Sequence, residues 1–185
     1  PHLGVFDGGY ALKTVVRPLV VPEDGSARIE FLTRLRHDAR LYRLPPTERP
    51  KGKRGPMPKW GQKLARPRQG GRWPGLWHEG KAYIYGRMRK VRWKEVVCLW
   101  RVLGHDVTVK AVVACVEGYK KRFTLVSSAV GLSGLEMVEL FAARFRQEDG
   151  FRGLKPRPGW EGWRAGARRA ARATSEGAGV TTVLL

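Results

Sequence analysis

The side chains best suited to chemistry lie at helical spacing near the end of the sequence. Relative to Phe141, the residues Arg144, Glu148 and Lys155 follow at offsets of 3, 7 and 14. At about 100° and 1.5 Å per residue, all four share one helix stripe about 60° wide and 21 Å long. One carboxylate between two cations suits an active-site wall, with Glu148 ligating a divalent metal ion and the cations holding phosphates. A solvated helix face with internal ion pairs is the competing interpretation, and on spacing alone it is the commoner case.

A second carboxylate, Asp7, follows the short apolar run 2–6 and precedes Gly8 and Gly9. An aspartate before two glycines is often only a turn residue. It also stands where α/β proteins place their sites, at the carboxyl end of a buried strand. Asp7 and Glu148 together would supply the hard oxygen ligands of a Mg²⁺ or Mn²⁺ site.

The elements that must position these residues alternate between strand and helix patterns. Apolar spacing predicts a strand over 2–6, a helix over 10–20 and a strand over 27–35. β-Branched residues predict a central strand over 107–116, with a neighbouring strand over 123–126. Ser133 and Glu136 have the spacing of a capping box, which predicts a helix from Ser133 to about Lys155, ended by Pro156. The pattern indicates an α/β fold.

Positive charge dominates the middle of the chain. Between residues 45 and 74 lie seven of the twelve prolines, and from Arg49 to Arg72 there are nine Lys or Arg and no acidic residue. This composition predicts a loop that buries no apolar area, either a solvated loop or a clamp on a DNA backbone. Three tryptophans interleave with the charges and are candidates for stacking on bases: Trp60, Trp73 and Trp77.

A second basic stretch lies between two strand patterns within residues 82–100. Two strands joined around residues 86–90 would form a hairpin that carries the cations at its tip. We expect DNA contacts from four of these cations: Arg87, Arg89, Lys90 and Arg92. Lys94 completes the stretch.

Composition narrows the class of partner. The chain has 36 Lys or Arg against 16 Asp or Glu, a formal charge of +20, which predicts a polyanionic partner, nucleic acid before an acidic membrane surface. Hydrophobic residues make up 42%, which excludes wholesale disorder. No run of about 18 apolar residues exists, so we expect no membrane-spanning helix. No long basic amphipathic helix with an aromatic apolar face is evident either, so we expect no membrane partner. The two cysteines, Cys98 and Cys115, are too few for a disulfide framework and predict buried thiols in a reducing compartment.

Taken together, these residues resemble the bacterial insertion-sequence DDE transposases. Asp7-Gly-Gly-Tyr10 after an apolar strand looks like the second-aspartate motif of that family. The helix stripe matches the Tyr–Arg–Glu–Lys signature of one large group of these transposases, with Phe141 in place of the tyrosine. Further segments look like the surroundings of these motifs: Leu32-Thr-Arg-Leu-Arg36, Phe123-Thr-Leu-Val-Ser127 and Phe151-Arg-Gly-Leu-Lys155.

The resemblance implies an RNase H-like catalytic core with a β-rich insertion. The core would occupy 1–42 and 107–158, the basic loop and insertion 43–106, and a basic tail 159–185. It also implies Mg²⁺- or Mn²⁺-dependent DNA cleavage and strand transfer, with Asp7 and Glu148 as catalytic carboxylates and metal ligands. Phe141, Arg144 and Lys155 would contact DNA near the cleaved end. The implied assembly is a homodimer on two transposon ends, in the nucleoid of a bacterial cytoplasm.

Two departures from the family pattern shape the remaining expectations. The family's first catalytic aspartate has no counterpart in this sequence, and Gly153 stands where an acidic residue is expected. We therefore expect a core that is incomplete at its amino end and a chain that is inactive by itself. The rivals are a non-enzymatic basic nucleic-acid-binding protein, which charge alone favours, and another RNase H-like nuclease. The spacing of Arg144 and Lys155 counts against that second rival.

Overall fold

The protein is a mixed α/β structure built on a sheet of seven strands. The computed structural model describes residues 2–23, 28–48 and 55–153 of the 185-residue chain, with side chains described as far as Arg144. The chain divides into two compact units, Pro1–Arg144 and Phe145–Leu185. The described elements are, in chain order, β1 His2–Phe6, α1 Lys13–Val20, β2 Ile29–Arg34, β3 Leu41–Tyr42, β4 His78–Ile84, β5 Arg87–Trp100, β6 Thr108–Val116, β7 Phe123–Ser127 and α2 Gly134–Gly153.

The sheet has the strand order β1-β2-β7-β6-β5-β3, and β4 also pairs with β5. β1 and β2 are parallel and are connected through α1, whereas every other described pair is antiparallel. Because β1 and β2 run in the same direction, their carboxyl ends lie at one edge of the sheet. Antiparallel β7 begins at that same edge, where Leu125 is paired with Arg34. Two strand ends and one strand start therefore converge at this edge.

The main core lies on the face of the sheet that packs against α1. Its apolar side chains alternate along the strands, as expected for a period of two, and α1 adds Val16 and Val20. The central members are fully buried and include Phe31, Trp100, Val109, Ala111 and Val126.

The opposite face of the sheet packs against the first turns of α2. Met137, Val138, Phe141 and Ala142 are buried, which is the spacing of one helix face. The strand residues whose side chains point away from the main core face this helix, and among them Leu32, Val112 and Leu125 are also fully buried.

Most sequence-based elements are confirmed. The strands predicted over 2–6, 27–35, 107–116 and 123–126 correspond to β1, β2, β6 and β7. The helix predicted over 10–20 begins later, at Lys13, because Gly8–Tyr10 form a separate 3₁₀ turn. The helix predicted from Ser133 is α2, described as far as Gly153. The division into a core, an insertion and a tail stays a prediction.

The prediction that the proline-rich basic segment buries no apolar area is wrong for its second half. Leu64 and Trp73 belong to the main core, and the Trp73 indole nitrogen donates to the Ala65 carbonyl at 2.8 Å. Gly70 lies so close to β6 that a β-carbon there would stand 2.9 Å from Cβ of Val113. Composition hides this packing because a few apolar residues among many cations are enough to anchor the segment.

The hairpin prediction is correct in pairing and wrong in where it puts the turn. β4 and β5 are antiparallel and are connected at Tyr85 and Gly86, with Ile84 paired to Arg87. Gly86 has φ +79°, the left-handed conformation that glycine adopts without strain. The cations therefore lie along β5 rather than on the tip. They alternate between the two faces of the sheet because the side-chain period of a strand is two.

Candidate functional site

Asp7 occupies the 3₁₀ turn that follows β1, at the edge where β1 and β2 end. Its carboxylate Oδ1 accepts a hydrogen bond from the Gly8 amide at 2.7 Å. Its own carbonyl accepts from the Tyr10 amide at 3.0 Å and from the buried Thr33 hydroxyl at 2.9 Å. The turn interpretation of Asp7 is confirmed, and its side chain remains 59% exposed. The site interpretation stays a prediction that is compatible with this turn.

The structure brings Arg144 to Asp7. Nη2 of Arg144 lies 3.8 Å from Oδ1 of Asp7, a distance for charge attraction rather than a hydrogen bond. The Arg144 side chain is 17% exposed, and its guanidinium lies 5.7 Å from the centre of the Phe141 ring, one helix turn earlier. Phe141 itself is 6% exposed. The Phe141 ring is therefore largely covered, and its contact in this part of the structure is with the Arg144 guanidinium.

The position of Arg144 depends on how the start of α2 is held against the sheet. Ser133 and Glu136 form the predicted capping box, with the Ser133 amide donating to Glu136 at 2.7 Å and the Glu136 amide donating to the Ser133 hydroxyl at 3.2 Å. Bonding to the amide and hydroxyl of Ser133 holds the pKa of the Glu136 carboxyl below its usual value. The capping box is thus confirmed.

Two charged side chains that sequence reasoning did not single out tie the same helix start to the sheet. Oε2 of Glu95 accepts from the Gly134 amide at 2.7 Å, and its Oε1 lies 3.6 Å from Nζ of Lys110. Lys110 also donates to the Leu132 carbonyl at 2.6 Å. The available signal was a charge in the middle of an apolar strand, since such a residue needs a partner when it is buried.

The remaining residues of the predicted stripe lie at the limit of the described chain. Glu148 lies within α2, but its side chain is outside the described part, and Lys155 is outside the described residues altogether. The metal ligand predicted at Glu148 and the phosphate contact predicted at Lys155 therefore stay predictions.

The four predicted DNA contacts on β5 divide into two pairs. Arg87 and Arg89 share the α2 face, and Arg89 is held by the Glu117 carbonyl at 3.1 Å and by the Tyr119 ring at 5.3 Å. Lys90 and Arg92 share the opposite face, where Arg92 lies 2.8 Å from the Glu79 carboxylate. Lys94 is buried instead, because its ammonium donates to the carbonyls of Gly71 and Trp73 at 3.2 and 3.0 Å.

The three candidate stacking tryptophans have three different environments. Trp73 is 2% exposed and belongs to the core, so the prediction that it could stack on bases is wrong. Trp60 packs on Tyr42 with ring centres 4.9 Å apart. Trp77 is half-buried and is surrounded by cations, with Lys94, Arg92 and Arg122 at 5.5 to 5.8 Å from its ring centre.

The thiols are consistent with the expected structural role. Both are free, and Cys98 is fully buried while Cys115 is half-buried. Burial raises the pKa of the Cys98 thiol to about 12, so it stays protonated and unreactive near neutral pH.

The described donors do not make up a metal site by themselves. Over residues 2–23, 28–48 and 55–144, no three His, Cys, Asp or Glu side chains are grouped so that they could hold an ion. Asp7 offers one exposed oxygen donor of the type that Mg²⁺ prefers.

No helix in the described part of the chain is both long and apolar enough to cross a membrane. Comparison of the chain with protein-family models, with curated proteins and with solved structures finds no match. The resemblance to DDE transposases therefore stays a prediction from the residues and motifs quoted above.

Proposed function

We propose that this protein is part of a DDE transposase, whose chemistry is phosphoryl transfer in DNA cleavage and strand transfer, and that the chain is inactive by itself because the family's first catalytic aspartate has no counterpart in its sequence. The observation that carries the proposal is the pair formed by Asp7 and Arg144, 3.8 Å apart at the edge where β1 and β2 end. One half of this pair belongs to the second-aspartate motif and the other to the Tyr–Arg–Glu–Lys signature. The two residues are 137 positions apart in the sequence, so their proximity is produced by the tertiary fold and could not be read from either motif alone.

The roles of the two residues follow from their surroundings. Arg144 is a largely covered cation held between Asp7 and Phe141, and a guanidinium in a fixed plane is suited to binding phosphate oxygens. Asp7 is an exposed carboxylate on a surface whose formal charge is strongly positive. Asp7 already has one cation beside it, the Arg144 guanidinium. A divalent ion bound to its carboxylate, as the sequence similarity implies, would attract a phosphate that the bare carboxylate repels.

Glu148 is the second carboxylate of the proposed site and Lys155 a second phosphate contact, as the sequence similarity implies. A divalent ion bound there would activate the attacking oxygen and stabilise the leaving one. The parallel pair β1 and β2, connected through α1, supports an RNase H-like core, because it puts Asp7 at a strand end of an α/β sheet. Assembly as a homodimer on two DNA ends belongs to the same proposal.

A second candidate function is non-enzymatic binding of nucleic acid. The exposed cations along β5 favour it, since Arg87, Lys90 and Arg92 need no metal ion to attract phosphates. In that case Asp7 would only be the cap of a turn, and its charge would weaken binding.

The two functions predict opposite signs for one substitution. DNA affinity is measured by fluorescence anisotropy on a duplex, with the chain and its Asp7→Asn variant, first in EDTA and then in Mn²⁺. In EDTA we expect the variant to bind more tightly than the unchanged protein, by up to about eight-fold near 0.1 M salt, the effect of one phosphate contact. In Mn²⁺ the order should reverse, because only the carboxylate can hold the ion that bridges to the phosphate.

Glu79→Gln is the matched control, since Glu79 is an exposed carboxylate that pairs with Arg92 away from the Asp7 turn. It should bind DNA more tightly in both buffers. If Asp7→Asn also binds more tightly in both buffers, the non-enzymatic function is correct and the transposase proposal is wrong.

A further inference from the structure

Beside the Asp7 turn lies a cleft of about 590 Å³ that the sequence did not reveal. Gly8 and three further segments line it: residues 34–37 at and after the end of β2, residues 67–68 of the 3₁₀ segment Pro67–Arg72, and residues 121–124 before and at the start of β7. The Thr124 hydroxyl joins two of these walls by donating to the Pro67 carbonyl at 3.4 Å. The cleft therefore belongs to the same sheet edge as Asp7.

Among the residues that the structure describes, five cations and one histidine line this cleft, and no acidic residue does. The positively charged or titratable side chains are Arg34, Arg36, His37, Arg68, Lys121 and Arg122. Two of the cations are anchored, Arg36 by Asp38 at 3.2 Å and Arg122 by the Trp77 ring at 5.8 Å. Arg68 and Lys121 are exposed.

Convergence of like charges needs an explanation, because each added cation in one cleft opposes folding by repulsion. A bound polyanion removes this repulsion and releases the counterions that it carries. The volume lies within the range of about 300 to 1,000 Å³ of small-molecule pockets, but five of the eleven residues that line this cleft are exposed cations. A row of phosphates matches charges that come from three segments better than a single compact anion does.

From this arrangement we infer that the cleft binds the sugar–phosphate backbone of a nucleic acid and leads it to Asp7. The inference rests on the proposed function only for the choice of DNA as the polymer. It reassigns the main DNA contact from the β5 cations to the cleft, with exposed Arg68 and Lys121 among the contacts. Since these contacts reach phosphates and not base edges, the binding is independent of sequence.

The test measures DNA binding by the double variant Arg68→Ala/Lys121→Ala. Affinity for a duplex of mixed sequence is followed by anisotropy in EDTA between about 50 and 200 mM salt. Two lost phosphate contacts should lower the affinity roughly 60-fold near 0.1 M salt and reduce the slope of log K against log salt by about 1.8. The double variant Lys13→Ala/Arg40→Ala is the control, because it removes the same charge from exposed positions outside the cleft.

Unchanged thermal stability of both double variants establishes that any loss comes from contacts and not from unfolding. An equal loss of affinity in the two double variants overturns the inference, because it means that only total charge matters. Tighter binding to anionic lipid vesicles than to DNA, with the same dependence on Arg68 and Lys121, also overturns it.

The outcomes separate this inference from the proposed function. A preference for an RNA duplex, lost on substitution of Arg68 and Lys121, supports the cleft and overturns the choice of DNA. If Arg68→Ala/Lys121→Ala lowers DNA affinity as expected but Asp7→Asn shows no reversal in Mn²⁺, the result supports DNA binding by the cleft and overturns phosphoryl transfer.

Discussion

Gly134→Ala is the substitution that most directly tests how α2 is positioned over the sheet. Gly134 is the first residue of α2, where helix propensity alone favours alanine over glycine by up to about 1 kcal/mol. The structure predicts the opposite sign. A β-carbon at this position would stand 2.5 Å from Nε1 of Trp93 and 2.6 Å from Oε2 of Glu95.

The magnitude follows from the rigidity of those neighbours. Trp93 is 9% exposed within β5, and Glu95 accepts the Gly134 amide, so neither can move without losing packing or a hydrogen bond. Overpacking of this kind costs about 1 to 3 kcal/mol, which exceeds the gain in helix propensity. We expect Gly134→Ala to lower the free energy of unfolding by about 1 to 2 kcal/mol. In a protein of this size, each kcal/mol lowers the Tm by about 2 to 4 °C.

The assay is urea unfolding followed by tryptophan fluorescence, with Gly131→Ala as the control. A β-carbon on Gly131 meets no atom within 4 Å, so that variant should stay within about 0.5 kcal/mol of the unchanged protein. In a Trp93→Phe background, which removes the indole edge, Gly134→Ala should cost less than in the native background. If Gly134→Ala stabilises the protein as an ordinary helix substitution does, the packing of α2 on β5 described above is incorrect.

Two further predictions concern stability. Ser133→Ala removes the hydroxyl half of the capping box and should lower the free energy of unfolding by about 0.5 to 2 kcal/mol in urea titration. Ser133→Asp should keep most of the native stability, because aspartate also caps helices. An unchanged free energy of unfolding for Ser133→Ala would contradict the cap. Asp106 accepts hydrogen bonds from Arg17 of α1, and these bonds hold the pKa of its carboxyl below the usual value. The ion pair therefore stabilises the folded state above the unfolded pKa of about 3.9. This stabilisation is lost as the pH falls through the folded pKa. Because both side chains are substantially exposed, Asp106→Asn should cost less than about 1 kcal/mol at pH near 7, and this cost should shrink as the pH falls below the unfolded pKa of about 3.9. A cost that does not change with pH would contradict the ion pair.

Local pattern was enough to predict much of the fold. The alternation in β2, the β-branched run of β6 and the capping box of α2 each depend on residues a few positions apart. The features that the sequence did not predict are tertiary. From sequence alone, Gly134 is an unfavourable residue in a helix, but in the structure Trp93 leaves no room there for a β-carbon. From sequence alone, Lys94 is a surface cation, but in the structure its ammonium donates to two backbone carbonyls.

The candidate site divides in the same way. Asp7 and Arg144 are predictable as single residues, because one follows an apolar strand and the other stands at helical spacing in a motif. Their proximity is not predictable from spacing, since it depends on α2 crossing from β5 to the β1 turn. The cationic cleft was missed for a related reason. Its charges come from segments about 30 to 90 residues apart, and only the sheet brings the ends of β2 and β7 together.

The most direct test of the central claim is the DNA affinity of Asp7→Asn and Glu148→Gln, each compared with the unchanged protein in EDTA and in Mn²⁺. If the two carboxylates bind a metal ion that meets a phosphate, both variants bind DNA more tightly than the unchanged protein in EDTA and more weakly in Mn²⁺. If both variants bind more tightly in both buffers, the carboxylates only repel DNA, and the protein binds nucleic acid without acting on it.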